Sequence, residues 1–220
     1  MKKQAGTAMW TAAALAASLL LGACGSDGGS KDKIDGAEGG TGESSKRRPS
    51  PSKSSGPSEH KGPDEIKLAK DAKNVFEDTG TGDPKKDEVL ADNQARINAV
   101  DRVITTGKEP DLVKVYAKGK SLLASNKYIL DFADDGMSWA GVTRYYDQKV
   151  EFTGKSDARV TFCADESKAQ NKVIKTGKLE PNDAGDQNYV FASFHTKRNS
   201  DGVWQAVSGS SQRGAKQCMK

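Results

Sequence analysis

The residues that decide the fold form the stretch DDGMSWAGVTRYYDQKVEFTGKSDARVTFC, positions 134–163. Before Gly136 apolar residues recur every three or four positions, whereas beyond it they alternate with polar ones, as in a strand. Aromatic and β-branched residues fill 138–146 and return at 149–153. The Gly-Lys-Ser-Asp sequence at 154–157 is typical of a tight turn. The stretch therefore predicts a change from helices to antiparallel strands.

The remaining carboxyl-terminal residues continue the strand pattern. Residues 157–163 form one alternating run, 188–197 form the longest, and 203–208 form another. Asn-Ser-Asp-Gly at 199–202 predicts a turn between the last two. We expect a curved antiparallel sheet of about four to six strands.

The residues before position 134 favour three or four helices packed on this sheet. Pro63 opens the first predicted helix, in which apolar residues recur at helical spacing up to Gly80. These residues are Ile66, Ala69, Ala72 and Phe76.

Two further helical segments follow. Asp83-Pro84 is a start signal, and the apolar stripe behind it ends near Gly107. The next segment begins at Pro110, is interrupted near Gly119 and stops at Gly136. Helices followed by strands, without β-α-β alternation, predict an α+β fold in one domain at 63–220.

The amino terminus is typical of a secretory signal. Lys2 and Lys3 precede an uncharged run that ends in Leu21-Gly22-Ala23-Cys24. A single membrane-spanning anchor is the alternative, but no cluster of positive charge follows the run. The last four residues resemble the bacterial lipobox, which implies removal of 1–23 and lipid attachment to Cys24. We therefore expect an anchored protein at the outer face of the cytoplasmic membrane.

A tether is predicted between the anchor and the domain, at 24–62. Residues 25–62 contain nine glycines, nine serines and three prolines among 38 residues. Such a composition buries too little apolar surface to offset the entropy of ordering.

Composition limits the classes of function. Only 35% of the chain is hydrophobic and 29% is charged, which excludes a multi-span membrane protein. The net charge of +4 falls to +2 when residues 1–23 and their two lysines are removed, leaving 32 basic and 30 acidic residues. So small a charge argues against a dedicated nucleic-acid binder.

Two cysteines remain once Cys24 is acylated. Cys163 and Cys218 form an even pair in an exported protein, which predicts a disulfide. Two buried free thiols are the alternative.

Four short stretches of the carboxyl-terminal half carry a resemblance to known proteins. They are FCADESKA at 162–169, KTGK at 175–178, DGVWQ at 201–205 and RGAKQC at 213–218. Together they resemble a group of actinobacterial secreted lipoproteins of unassigned function, whose layout is similar to the nuclear transport factor 2-like α+β cone. The resemblance implies a pocket between the helices and the concave face of the sheet, in a fold that hosts both enzymes and binding domains.

Six side chains are candidates for lining that pocket, although each could instead fill the core. They are Trp139, Tyr145, Tyr146, Phe191, His195 and Trp204. Alternation places His195 on the face of its strand that carries Tyr189 and Phe191. His195 could act as a base if that face is concave, and it lies at the solvent side otherwise.

Other patterns give little support for chemistry. Asp165 and Glu166 could form a carboxylate pair, but we favour Asp165 as the cap of a short helix at 167–170. The acidic residues at 134–135 and 183–186 lack the spacing of a calcium loop. No zinc-ligand spacing, phosphate-binding glycine loop or Gly-x-Ser-x-Gly motif occurs, so we predict no metal, cofactor or catalytic residue.

The sequence leaves three functions open. The first is non-catalytic binding of a small molecule or an envelope component by the anchored domain. The second is an isomerase- or dehydratase-type enzyme that uses His195 or a buried carboxylate. The third is a structural or protein-interaction role at the cell wall. An open cavity with an inward ionisable group favours an enzyme, and a filled cone favours interaction.

Overall fold

The computed structural model of this protein describes residues 65–219. The predicted signal peptide, the lipid-modified Cys24 and the tether at 24–62 lie outside the described residues. In chain order the elements are β1 Ala72–Phe76, α1 Pro84–Thr106, α2 Leu112–Tyr116, α3 Gly119–Asp134, β2 Met137–Phe152, β3 Asp157–Val173, β4 Tyr189–Arg198 and β5 Trp204–Arg213. The predicted α+β class, with helices on a sheet, is confirmed.

The five strands form one sheet in the order β1-β2-β3-β4-β5. β2 to β5 pair antiparallel, as predicted from their alternation. The register shifts in β2 after Val142 and after Tyr146, and in β4 after His195. Irregularities of this kind bend strands and increase their twist. The sheet therefore curves around α1, which contacts β1, β2, β3 and β5.

The helix predicted to begin at Pro63 is wrong over the described residues. Ala72–Phe76 is instead β1, an edge strand parallel to β2. Ala72 and Phe76 are four positions apart, a spacing that fits one helical turn and also two strand repeats. The parallel pairing makes α1–α3 a crossover between β1 and β2, which the sequence pattern did not predict.

The other helices are confirmed. Asp83 caps α1, where its Oδ1 accepts a hydrogen bond from Lys85 N at 2.9 Å. Gly107 ends the helix in the left-handed conformation, with φ at 67°. The predicted break near Gly119 separates α2 from α3. None of the helices within 65–219 is long and apolar enough to cross a bilayer.

Two strands are longer than predicted. β2 is continuous where we expected separate runs at 138–146 and 149–153. β3 continues to Val173, so the helix cap expected at Asp165 and the short helix after it are wrong. The reason is tertiary, because the first half of β2 pairs with this segment along its length. β4 is shorter than both, so the run at 188–197 is not the longest strand.

A disulfide joins Cys163 on β3 to Cys218 near the carboxyl terminus, with Cα atoms 5.5 Å apart. This is the pairing that the cysteine count predicted. Both residues are buried in a small cluster with Tyr146 and Ala215. The Tyr146 hydroxyl donates a hydrogen bond to the Cys218 carbonyl oxygen. Because Phe162 and Cys163 point to opposite faces of β3, this cluster covers the outward face of the sheet.

Candidate functional site

A cavity of about 850 Å³ lies between the helices and the inward face of the sheet. α1 and α3 supply one side, β2 to β5 supply the other, and the loop between β3 and β4 borders it. This volume is in the range of small-molecule sites. The lining is mainly aromatic and aliphatic, with a few charged groups. The charged side chains are Arg96, Asp101, Glu166, Asp183 and Arg213.

Aromatic rings from neighbouring strands form the floor of the cavity. Phe162 of β3 and Phe194 of β4 lie parallel, with ring centroids 6.1 Å apart. Tyr145 of β2 meets Phe162 edge-on at 5.8 Å. Burial raises the pKa of Tyr145 well above its usual value, so its hydroxyl stays protonated. The floor therefore offers flat apolar surface and one neutral hydroxyl.

Asp101 is a buried carboxyl group on the wall that α1 contributes. Asn74 of β1 donates a hydrogen bond from Nδ2 to Asp101 Oδ2 at 2.7 Å. Burial raises the pKa of Asp101 to about 6, and the charge of Glu166 adds to the rise, whereas the hydrogen bonds of Asn74 and Trp139 and the positive charge of Arg96 oppose it. The group therefore titrates near neutral pH, where it can accept or donate a proton.

Arg96 lies on the same helix and is only 6% exposed. Its Nε and Nη2 donate hydrogen bonds to Asn93 Oδ1 at 3.3 Å and 3.1 Å. Its guanidinium carbon lies 3.9 Å from the ring centroid of Phe194. Burial lowers the pKa of Arg96 to about 10, so the side chain remains a cation at neutral pH.

Two charged groups at the rim, Arg213 and Glu166, are paired with each other. Arg213 of β5 donates from Nη1 to Glu166 Oε2 at 2.6 Å and to the Gln187 carbonyl oxygen at 3.2 Å. Asn182 in the β3–β4 loop donates to the carbonyl oxygens of Glu166 and Ala169 at 2.9 Å and 2.8 Å. These bonds attach the loop to the inner edge of β3. One wall of the cavity is thus fixed by polar contacts.

The six predicted pocket residues separate into three groups. Trp139 and Tyr145 line the cavity. Trp204 is buried in the apolar core beside Phe152, with centroids 5.8 Å apart. The pocket prediction was wrong for Tyr146, Phe191 and His195, which lie on the outward face.

The physical reason is that the inward face of β4 carries Val190, Ala192 and Phe194, the set opposite His195. His195 instead lies with Nε2 3.1 Å from Asp157 Oδ1 at the partly exposed surface. The role of His195 as a base in the cavity therefore has no structural support.

Asp165 and Glu166 do not form a carboxylate pair. They are neighbours in β3 and point to opposite faces. Asp165 Oδ2 lies 3.3 Å from Arg144 Nη1, and its Oδ1 accepts from Ser167 N at 2.9 Å. Glu166 points inward and pairs with Arg213.

Sequence reasoning missed Asn74, Arg96 and Asp101, the polar groups that distinguish this cavity. A signal was present for two of them. Leu90, Ile97 and Ile104 mark the buried side of α1, and Arg96 and Asp101 lie next to them on that side. Charged residues are seldom fully buried without a reason, so their position within an apolar stripe indicated a site. Asn74 had no such signal, because its segment was predicted to be helical.

The fold is an α+β arrangement with a long helix against a curved sheet and a cavity between them. Within residues 65–219 no group of three or more His, Cys, Asp or Glu side chains could hold a metal ion. No known family profile and no curated protein matches the chain.

Three solved structures illustrate the distant likenesses of this chain. A ketosteroid isomerase-like protein from Erwinia carotovora atroseptica is 13% identical, with a TM-score of 0.40 over 57% of this chain and 92% of that one. A domain of unknown function with a cystatin-like fold from Nostoc punctiforme is 12% identical, with a TM-score of 0.35 over 61% and 78%. The intermembrane-space region of the chloroplast protein ARC6 is 9% identical, with a TM-score of 0.41 over 59% and 95%. Likenesses this distant transfer no activity.

Proposed function

We propose that the mature protein is a lipoprotein at the outer face of the cytoplasmic membrane and that its folded domain binds a small, largely apolar molecule. The anchor rests on the charged start, the apolar run and the Leu-Gly-Ala-Cys sequence that ends at Cys24. The binding role rests on one observation, the open cavity with an aromatic floor and a few polar groups. A filled cone would favour a purely structural role instead.

The anchor is tested by lipid labelling. Cells that express the full chain are grown with a labelled fatty acid. The wild-type protein should become labelled and the Cys24→Ser variant should not, because the Cys24 thiol is the predicted acceptor. The measurement is autoradiography or fluorescence of the purified protein. Continued labelling of Cys24→Ser would refute lipid attachment at this position.

The binding role is tested by filling the cavity. Ala169 of β3 lines the cavity and is half-buried, so an indole placed there occupies ligand space. We expect Ala169→Trp to weaken binding of N-phenyl-1-naphthylamine, a neutral apolar fluorophore, by about tenfold or more, since bound rings need the same volume. The assay is fluorescence titration of the mature chain carrying Cys24→Ser, which needs no detergent.

The control for this variant is Ser167→Trp. Ser167 lies on the same strand, is exposed and is not part of the lining. Ser167→Trp should leave the affinity unchanged. Equal affinities for wild type, Ala169→Trp and Ser167→Trp would place the probe elsewhere and contradict the proposal.

Proton transfer is the second candidate function, and the buried Asp101 favours it. A carboxyl group with a pKa near 6 that faces an apolar cavity can act as a general acid or base near neutral pH. Asp101→Asn keeps the shape of the side chain and removes the titrating proton. If the protein is an enzyme of this kind, turnover of its substrate is lost in Asp101→Asn while binding is retained. If it is a binding protein, the variant binds and no turnover exists to lose.

A further inference from the structure

We propose that the ligand is an amphipathic organic anion whose single negative group is held by Arg96 inside the cavity. The inference rests on the proposed binding function and names the chemical class of the ligand. The carboxylate, sulfonate or sulfate of such a molecule would meet the guanidinium, and its apolar body would lie on the aromatic floor.

Arg96 is a buried cation without a contacting counter-ion in the described part of the chain. Its hydrogen bonds run to Asn93 Oδ1, a neutral acceptor. Between residues 65 and 219 no carboxylate oxygen lies within ion-pair distance of it, whereas Arg213 in the same cavity has Glu166 at 2.6 Å. A buried charge without a contacting counter-ion destabilises the folded protein. A ligand anion removes that cost.

The acidic groups of the cavity do not fill this role. Glu166 is engaged by Arg213 at the rim. Asp101 accepts a hydrogen bond from Asn74 of β1 and acts on Arg96 electrostatically at longer range. Among the described residues neither Asp101 nor Asp183, which also lines the cavity, forms an ion pair with Arg96. Nη1 of Arg96 makes none of the hydrogen bonds found among the described residues. Both N–H groups of Nη1 therefore remain for an acceptor in the cavity.

The surroundings of Arg96 also define the rest of the ligand. The guanidinium lies over the face of Phe194, and Phe162 continues the same flat surface. An anion bound to Arg96 therefore has apolar rings directly beside it. A molecule with a charged group attached to a flat or compact apolar body fits both features, whereas a polyanion or a sugar would leave polar groups against aromatic rings unpaired.

Two fluorophores that differ by one sulfonate group provide the test. 8-Anilinonaphthalene-1-sulfonate is the sulfonated form of N-phenyl-1-naphthylamine, so the ratio of their dissociation constants isolates the contribution of the anion. The mature chain carrying Cys24→Ser is titrated with each probe, in parallel with Arg96→Met. We expect the sulfonate to bind Arg96→Met about tenfold more weakly or worse, and the neutral probe to bind it as well as wild type.

Arg159→Met is the matched control. Arg159 is exposed on β3 and does not line the cavity, so its replacement removes the same charge from the surface. Neither probe should change its affinity for Arg159→Met. A loss of sulfonate binding as large as in Arg96→Met would mean that only overall charge matters, and the inference would be wrong.

The remaining outcomes separate the two proposals. If neither probe binds the wild-type chain, the binding function itself fails. If both bind and Arg96→Met weakens them equally or not at all, only the assignment of the anion to Arg96 fails. If Arg96→Met does not fold, as judged by thermal melting, Arg96→Lys decides the question. Arg96→Lys keeps the positive charge but loses the planar pair of donors. It should therefore weaken binding of the sulfonate several-fold more than binding of the neutral probe, and equal weakening of both would overturn the inference.

Discussion

Removing the disulfide should lower the free energy of unfolding by about 4 kcal/mol, the largest loss that we expect from a change outside the cavity. The bond spans 55 residues, from Cys163 in the middle of the sheet to Cys218 at the carboxyl end. Closing a loop of that length restricts the unfolded chain and so raises its free energy. The double variant Cys163→Ala, Cys218→Ala avoids a lone thiol and is measured by urea denaturation.

The control for the disulfide is chemical. Reducing the wild-type protein should lower its stability to that of the double variant, and the reductant should not affect the double variant itself. The Cys24→Ser variant should unfold at the same urea concentration as the lipid-anchored protein, both with and without the reductant. A loss below about 1 kcal/mol would contradict the role of the bond in closing the domain.

Asp101→Asn should stabilise the protein at pH 7.5 by up to about 3 kcal/mol, which is the free-energy equivalent of raising the pKa from 3.8 to about 6. In the unfolded chain Asp101 ionises near pH 3.8, whereas in the folded chain it ionises near 6. Below pH 3.8 both states are protonated, so the folded state carries no penalty. As the pH rises from 3.8 to about 6 the unfolded chain loses this proton first, so the free energy of unfolding falls, and the full penalty is present above about pH 6.

Asparagine resembles the neutral carboxyl group and does not ionise. The higher free energy of unfolding of Asp101→Asn should therefore be present at pH 7.5 and absent near pH 4. The measurement is urea denaturation of both proteins at the two pH values, with Asp131→Asn, an exposed position on α3, as the control without pH-dependent gain. A variant that is destabilised equally at both pH values would show that Asp101 is held as a structural anion. Natural proteins retain such a destabilising group mainly where function needs it.

Much of the fold follows from local signals. Asp83 and Gly107 delimit α1 because capping is a local property of the chain. The alternation in β2 to β5 indicates strands because one face of each is buried. The pairing of Cys163 with Cys218 follows from their number and the predicted export.

The errors lie where distant residues decide the structure. Ala72 and Phe76 fit a helix and a strand equally well, and pairing with β2 selects the strand. Asp165 reads as a cap until the first half of β2 provides a partner for the segment after it. Local preference cannot weigh such contacts.

The site was less predictable than the fold. Alternation correctly separated His195 from Phe194, but it could not tell which face is concave. That depends on how bulges bend the sheet and on where α1 packs. Arg96 and Asp101 were missed because the apolar stripe of α1 was sufficient to predict how that helix packs. Two charged residues on the buried side of α1 could nevertheless have been recognised as an indication of a site.

The most direct test of the central claim is a crystal structure of the mature chain with 8-anilinonaphthalene-1-sulfonate bound. We expect the sulfonate within hydrogen-bond distance of the Arg96 guanidinium and the rings against Phe162 and Phe194, inside the cavity between the helices and the sheet. A probe bound on the outward face of the sheet or along the exposed side of α3, with the cavity empty, would contradict the claim.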